Sequence, residues 1–139
     1  QTLIAVDTNI ISYLFIEGEF TALSEKAFQK DHHWVAPFLW RSEFRNVLTA
    51  CFRKGLLQFH DALKIVEQAE WLMKGNEYSL TSASVLRLVV QSDCSAYDCE
   101  FVALARELRI PLITMDKRIL NSFPEAAMRL EEFIEDRNR

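Results

Sequence analysis

TLIAVDTNIISYLF, residues 2–15, is the stretch whose reading decides the fold. Leu3, Ile4, Ala5 and Val6 form an unbroken apolar run, the pattern of a strand buried on both faces of a parallel sheet. Ile10, Ile11, Leu14 and Phe15 then recur at i, i+1, i+4 and i+5, so the order is strand, sharp turn, helix. Asp7 stands at the seam. In open α/β sheets ligands bind at that seam, outside the carboxyl end of a strand. Asp7 and Thr8 also suit a helix cap, with side-chain oxygens satisfying free amides. Taken alone the cap is the simpler account, and acids at equivalent places elsewhere are what shift the balance.

The chain has 139 residues, read as a single domain over 1–139 and long enough to bury about two-thirds of its unfolded surface. Half of it is hydrophobic, and three Gly and three Pro leave little material for tight hairpins, which favours a helix-rich α/β domain. The apolar runs fall far short of a membrane span and no charged-then-apolar leader precedes the first strand. The start at Gln1 rather than Met reads as a trimmed or replaced native terminus. Cys51, Cys94 and Cys99 are odd in number and lie in apolar helical patterns, as expected of reduced, buried thiols in a cytoplasm. The C-x4-C spacing has no second pair and argues against structural zinc. A formal charge of −4 is unexpected for a protein acting on nucleic acid. If four acids converge on one metal site, however, the remainder is balanced and local patches decide.

Along the chain, Phe20–Lys30 reads as a second helix and Trp34–Ala36 as a second strand, ended by Pro37. His32 and His33 lie in a polar connection and receive no metal role. A long helix runs from about Phe38 to Lys54, with Trp40, Phe44, Val47, Leu48 and Cys51 on one stripe. Glu43 falls at the edge of that stripe, with Asn46 on the same flank; it can pair with a neighbour or lean into a cleft beside the sheet. Arg41 and Arg45 point away, as solvated surface or a dimer contact. Gly55 stops this helix. The next, Phe59–Lys74, is expected to turn Phe59, Leu63, Val66, Ala69 and Met73 inward. Gly75-Asn76 is a turn, Glu77–Leu80 a short third strand, and Thr81 or Ser82 caps a helix carrying Val85, Leu86, Val89 and Val90.

SDCSAYDCEFVALARELR, residues 92–109, is the second informative stretch. Ser95 and Asp98 have the S-x-x-D spacing of a capping box, which puts Asp98 in the first turn of a helix. That helix is apolar nearly all round, through Tyr97, Phe101, Val102, Leu104, Ala105 and Leu108, and is expected to be buried. Asp93 reads as a loop residue. Ile110–Thr114 is the fourth strand, and Asp116 again marks a strand-to-helix junction. Ala127–Leu130 is a short edge strand, and 131–139 a charged C-terminal tail, expected as a solvated, fraying helix.

This order calls for a three-layer α/β/α fold: a mostly parallel sheet of about five strands with helices on both faces. With strand order 3-2-1-4-5, the topological switch point lies between the strands ending at Asp7 and Asp116. Asp98 opens the helix feeding the fourth strand, and Glu43 leans in from the long helix. Four carboxylates so placed cannot all stay ionised without a cation. Hard oxygen ligands without Cys or His suit Mg²⁺ or Mn²⁺.

The segments VDTN (6–9), SEF with Asn46 behind it (42–46), SAYDCEFVALA (95–105) and TMDKRI (114–119) resemble the signature of the PIN-domain nucleases, in size and spacing the VapC-type toxins of toxin–antitoxin pairs. The likeness runs from Leu3 to about Leu130; around Asp93 and Cys94 the sequence departs from it, where a small or apolar residue is the pattern. The resemblance implies a metal-dependent endoribonuclease. It makes Asp7, Glu43, Asp98 and Asp116 the metal-binding acids, supported by Thr8, Asn9, Asn46 and Thr114. It also implies an RNA substrate, a small antitoxin as partner, a homodimer and no membrane. Lys117, Arg118 and Lys54 are the candidate contacts to the RNA backbone. The alternatives are an RNA-processing nuclease outside toxin systems and a PIN module that binds without cutting. Gly18, Gly55 and Gly75 are too scattered for a phosphate-binding loop, and no G-x-S-x-G elbow occurs.

Overall fold

The computed structural model describes residues 2–137. β1 (Ile4–Val6) runs into α1 (Thr8–Phe15) with Asp7 alone between them. There follow α2 (Thr21–Lys30), β2 (Trp34–Pro37), α3 (Trp40–Arg53), α4 (Phe59–Met73), β3 (Glu77–Tyr78) and α5 (Ser82–Val89). α6 (Ala96–Leu108), β4 (Leu112–Ile113), α7 (Lys117–Ser122), β5 (Ala127–Met128) and α8 (Leu130–Glu135) complete the order. The strands form one five-stranded sheet in the order β3-β2-β1-β4-β5 with every pairing parallel.

That order follows from the connections. The chain steps outward from β1 to β2 to β3, then returns past β1 to β4 and β5. Right-handed crossovers in the two directions place helices on opposite faces. α1 packs on β1 and α4 on β2, joined by α2, α3 and α8, while α6 lies across β1, β2 and β4 with α5 against it. The expected three-layer α/β/α arrangement is therefore present. The central strands are covered on both sides: Ile4, Ala5, Val6, Leu112 and Ile113 are all buried. Gly55 and Gly75 end α3 and α4 at φ +71° and +83°, a backbone region that an L side chain rarely adopts.

Several details depart from the sequence reading. Phe59 and Leu63 on α4 are exposed, and Ala62, Ala69 and Met73 face the core instead. On α5, Val85 and Leu88 are buried while Leu86, and Val90 at the C-cap, are exposed. Arg41 is no free surface cation: its Nε and Nη2 donate to Glu77 at 2.6 and 2.9 Å, and Trp40 Nε1 donates to the same carboxylate at 2.7 Å. This network fastens edge strand β3 to α3, and Glu70 of α4 lies within ion-pair distance of both Arg41 and Arg45. The charged C-terminal stretch is not a solvated tail. Leu130 and Phe133 are buried, α8 packs on α2, and Lys30 Nζ donates to the backbone oxygens of Phe133 and Asp136 at its end. Residues 138–139 of that stretch lie outside the described residues.

Candidate functional site

Asp7 is held at the carboxyl end of β1 by both neighbours in the chain and in the sheet. Its amide donates to Ile113 O at 3.0 Å, which keeps it in register with β4. Its Oδ1 accepts from Thr8 N at 2.8 Å as the cap of α1. Its Oδ2 accepts from Thr114 Oγ1 at 2.6 Å. The same Thr114 oxygen accepts from Asp116 N at 3.0 Å, so one fully buried hydroxyl ties the two strand-end acids together. Asp116 in turn caps α7, its Oδ1 accepting from Ile119 N at 2.9 Å. The capping reading holds for both acids. Asp116 also lines a cleft at the strand ends, whereas Asp7 is buried with both carboxylate oxygens engaged and lines none of the clefts described below.

Glu43 enters from the first turn of α3 and accepts from Thr8 Oγ1 at 2.6 Å. Trp40, Phe44 and Leu48 seat that helix on the core, which leaves Glu43 on the flank facing α1. Asp98 sits in the first turn of α6. The expected capping box is present: Asp98 N donates to Ser95 Oγ at 3.0 Å and Ser95 N to Asp98 Oδ2 at 3.4 Å.

Electrostatics register the crowding. Asp7 is only 8 % exposed. Burial, reinforced by Glu43 and Asp116, raises its carboxyl from 3.8 to about 7 against the opposing bonds from Thr114 and Thr8. Glu43 is also raised, first by burial and then by Asp98, Glu100 and Asp116, with the Thr8 hydroxyl opposing. Glu100 is the acid the sequence reading passed over. It lies two residues beyond Asp98, within electrostatic reach of Glu43, and burial raises its own carboxyl. An acid interrupting an otherwise apolar helix is the signal that could have marked it.

Two clefts meet at Asn9, which lines both. The larger, about 970 Å³, carries Asp93, Asp98, Asp116, Lys117, Arg118 and Asn121. The smaller, about 460 Å³, is walled by Glu43, Leu39, Ser42, Asn46, Val47 and Tyr97. Lys117 and Arg118 are exposed and make no ion pair among the described residues. Lys54 lines neither cleft. It follows the last turn of α3 while Glu43 stands in the first, about 16 Å away along the axis at 1.5 Å per residue. Tyr97, expected inside, is 63 % exposed.

As a donor set for a cation, these residues are all oxygen, with neither His nor Cys in either cleft. Asn9 Oδ1 is buried without a hydrogen-bond partner at the junction. Such a set fits a hard divalent cation. The acids surround the junction without closing on it: among the described residues no three His, Cys, Asp or Glu side chains form a metal-holding group as they stand.

The sequence profile of the PIN domain matches residues 4–126, the span that holds all four acids. The chain belongs to the PIN domain family. Among proteins of known sequence, this PIN domain is similar to Ribonuclease VapC3 of Pyrobaculum aerophilum, at 26 % identity over 125 residues, which is 87 % of this chain and 95 % of that one. Among solved structures it is similar to PAE2754 from the same organism, with a TM-score of 0.75 at 19 % identity over 96 % of this chain and 87 % of the other. The second likeness establishes shared architecture.

Proposed function

We propose that this PIN domain is a divalent-metal-dependent endoribonuclease, the toxin of a toxin–antitoxin pair, acting in the cytoplasm as a homodimer restrained by a small antitoxin. The observation that carries the reading is the buried carboxyl of Asp7 at the switch point, with Glu43 and Asp116 close enough to raise it and unpaired Lys117 and Arg118 on the rim. The relative named as a ribonuclease supports the choice of RNA.

Asp7, Glu43, Asp98 and Asp116 would hold Mg²⁺ or Mn²⁺, which when bound supplies an activated water and neutralises charge on a phosphodiester. The chain's own residues arrange the rest. Thr114 fixes Asp7 and the start of α7 relative to each other. Thr8 turns Glu43 toward the junction and favours its ionised form. Lys117 and Arg118 offer charge to backbone phosphates entering the larger cleft. Phe59 and Leu63 on α4, and Leu86 on α5 with Val90 at its C-cap, are pairs at i and i+4 left exposed, which supports a surface that takes a partner.

The metal reading is tested by thermal melting. Mn²⁺ should raise the melting temperature of wild type by mass action on the folded state and leave Asp116→Asn nearly unmoved. Equal shifts in both proteins would place the ion elsewhere.

A further inference from the structure

We infer that the smaller cleft beside Glu43 is a nucleobase subsite, with the ring of Tyr97 as the platform on which an unstacked base of single-stranded RNA lies next to the scissile bond. The inference rests on the nuclease reading above and adds a determinant of which RNA is cut. The cleft, about 460 Å³, falls in the range of sites that take a small planar ligand. It shares Asn9 with the larger cleft and has Glu43 in its wall, so a strand whose phosphate lies at the acids has a base within reach of it.

The two clefts differ in the way a nucleotide's halves differ. Lys117 and Arg118 give the larger one a cationic rim suited to the backbone. Leu39, Val47 and Tyr97 give the smaller one an apolar lining, with Ser42 and Asn46 able to donate and accept at a base edge. Tyr97 is the residue that stability does not explain. It projects from the first turn of α6, is 63 % exposed, and makes no hydrogen bond or ring contact among the described residues. Its helix neighbours Phe101 and Val102 are buried. Stacking on such a ring tolerates any base and requires one already free of a duplex, which selects single-stranded regions.

The test compares wild type, Tyr97→Ala and Tyr97→Phe on a short single-stranded RNA carrying a fluorescent adenine analogue, in Mg²⁺ or Mn²⁺. Loss of one stacked base predicts a KM for Tyr97→Ala about 5- to 150-fold above wild type, with kcat changed much less. Tyr97→Phe keeps the ring face and should restore KM. The analogue's emission should be quenched on binding wild type and Tyr97→Phe and not Tyr97→Ala. A Tyr97→Ala enzyme that cuts with the wild-type KM overturns the subsite, leaves the nuclease reading standing, and returns the exposed ring to a protein partner. Equal losses in the Ala and Phe variants also overturn it, because the hydroxyl rather than the ring would matter. A wild type that binds and cuts no RNA removes both readings together.

Discussion

Replacing Asp7 with Asn should make the metal-free protein more stable at alkaline pH and give no such gain at acid pH. In the folded chain the Asp7 carboxyl is raised from 3.8 to about 7, chiefly by burial. Between those two values the folded state holds a proton that the unfolded chain has released. Stability therefore falls as pH rises through that window and levels off above it. At about 1.4 kcal/mol per pH unit, the loss assigned to Asp7 is roughly 3 kcal/mol between pH 5 and pH 8. Asn does not titrate, so the variant escapes it. Against this, Asn cannot accept from both Thr8 N and Thr114 Oγ1, which costs about 1 kcal/mol at any pH. Urea denaturation of both proteins in chelator across this pH range provides the assay. The stability difference should move toward the variant by roughly 3 kcal/mol, crossing from a small loss near pH 5 to a gain near pH 8. Parallel pH curves would show that Asp7 carries no uncompensated charge, and the electrostatic argument for a cation at this junction would fall with them.

Two further perturbations separate the supporting residues. Thr8→Val removes the hydroxyl that favours the ionised form of Glu43 against the effect of burial, so the acid limb of the cleavage–pH profile at limiting Mn²⁺ should move to higher pH; an unmoved limb would mean the 2.6 Å bond has no bearing on the chemistry. Replacing Lys117 and Arg118 together with Ala should weaken RNA binding and flatten its salt dependence by up to roughly 0.7 per lost phosphate contact on single strands, and an unchanged slope would send the backbone along another face.

Much of this architecture was legible because local and tertiary signals agreed. The run from Leu3 to Val6 fits a covered strand, and β1 takes Ile4–Val6 of it, with Asp7 capping α1 directly after. The S-x-x-D spacing placed Asp98 on the first turn of α6, where it stands. What periodicity could not tell was which apolar stripe faces the core. Phe59, Leu63, Leu86 and Val90 recur at helical spacing, as core residues do, yet they face outward. Ala62, Ala69 and Met73 form the face that α4 turns to the core instead. Charge hid α8 in the same way: four acids among residues 131–136 read as solvated, while Leu130 and Phe133 at i and i+3 anchor it to the core. Glu100 and Tyr97 were missed because each lies in a segment whose average character is buried and apolar.

Cleavage of single-stranded RNA by the purified protein, with Mg²⁺ or Mn²⁺ present and then removed by chelator, is the measurement closest to the central claim. The account predicts discrete internal cuts that stop in chelator, return when metal is restored, and are abolished in Asp98→Asn and Asp116→Asn proteins that melt like wild type. Cutting that survives chelation, or that persists at near wild-type rate in either variant, would contradict it.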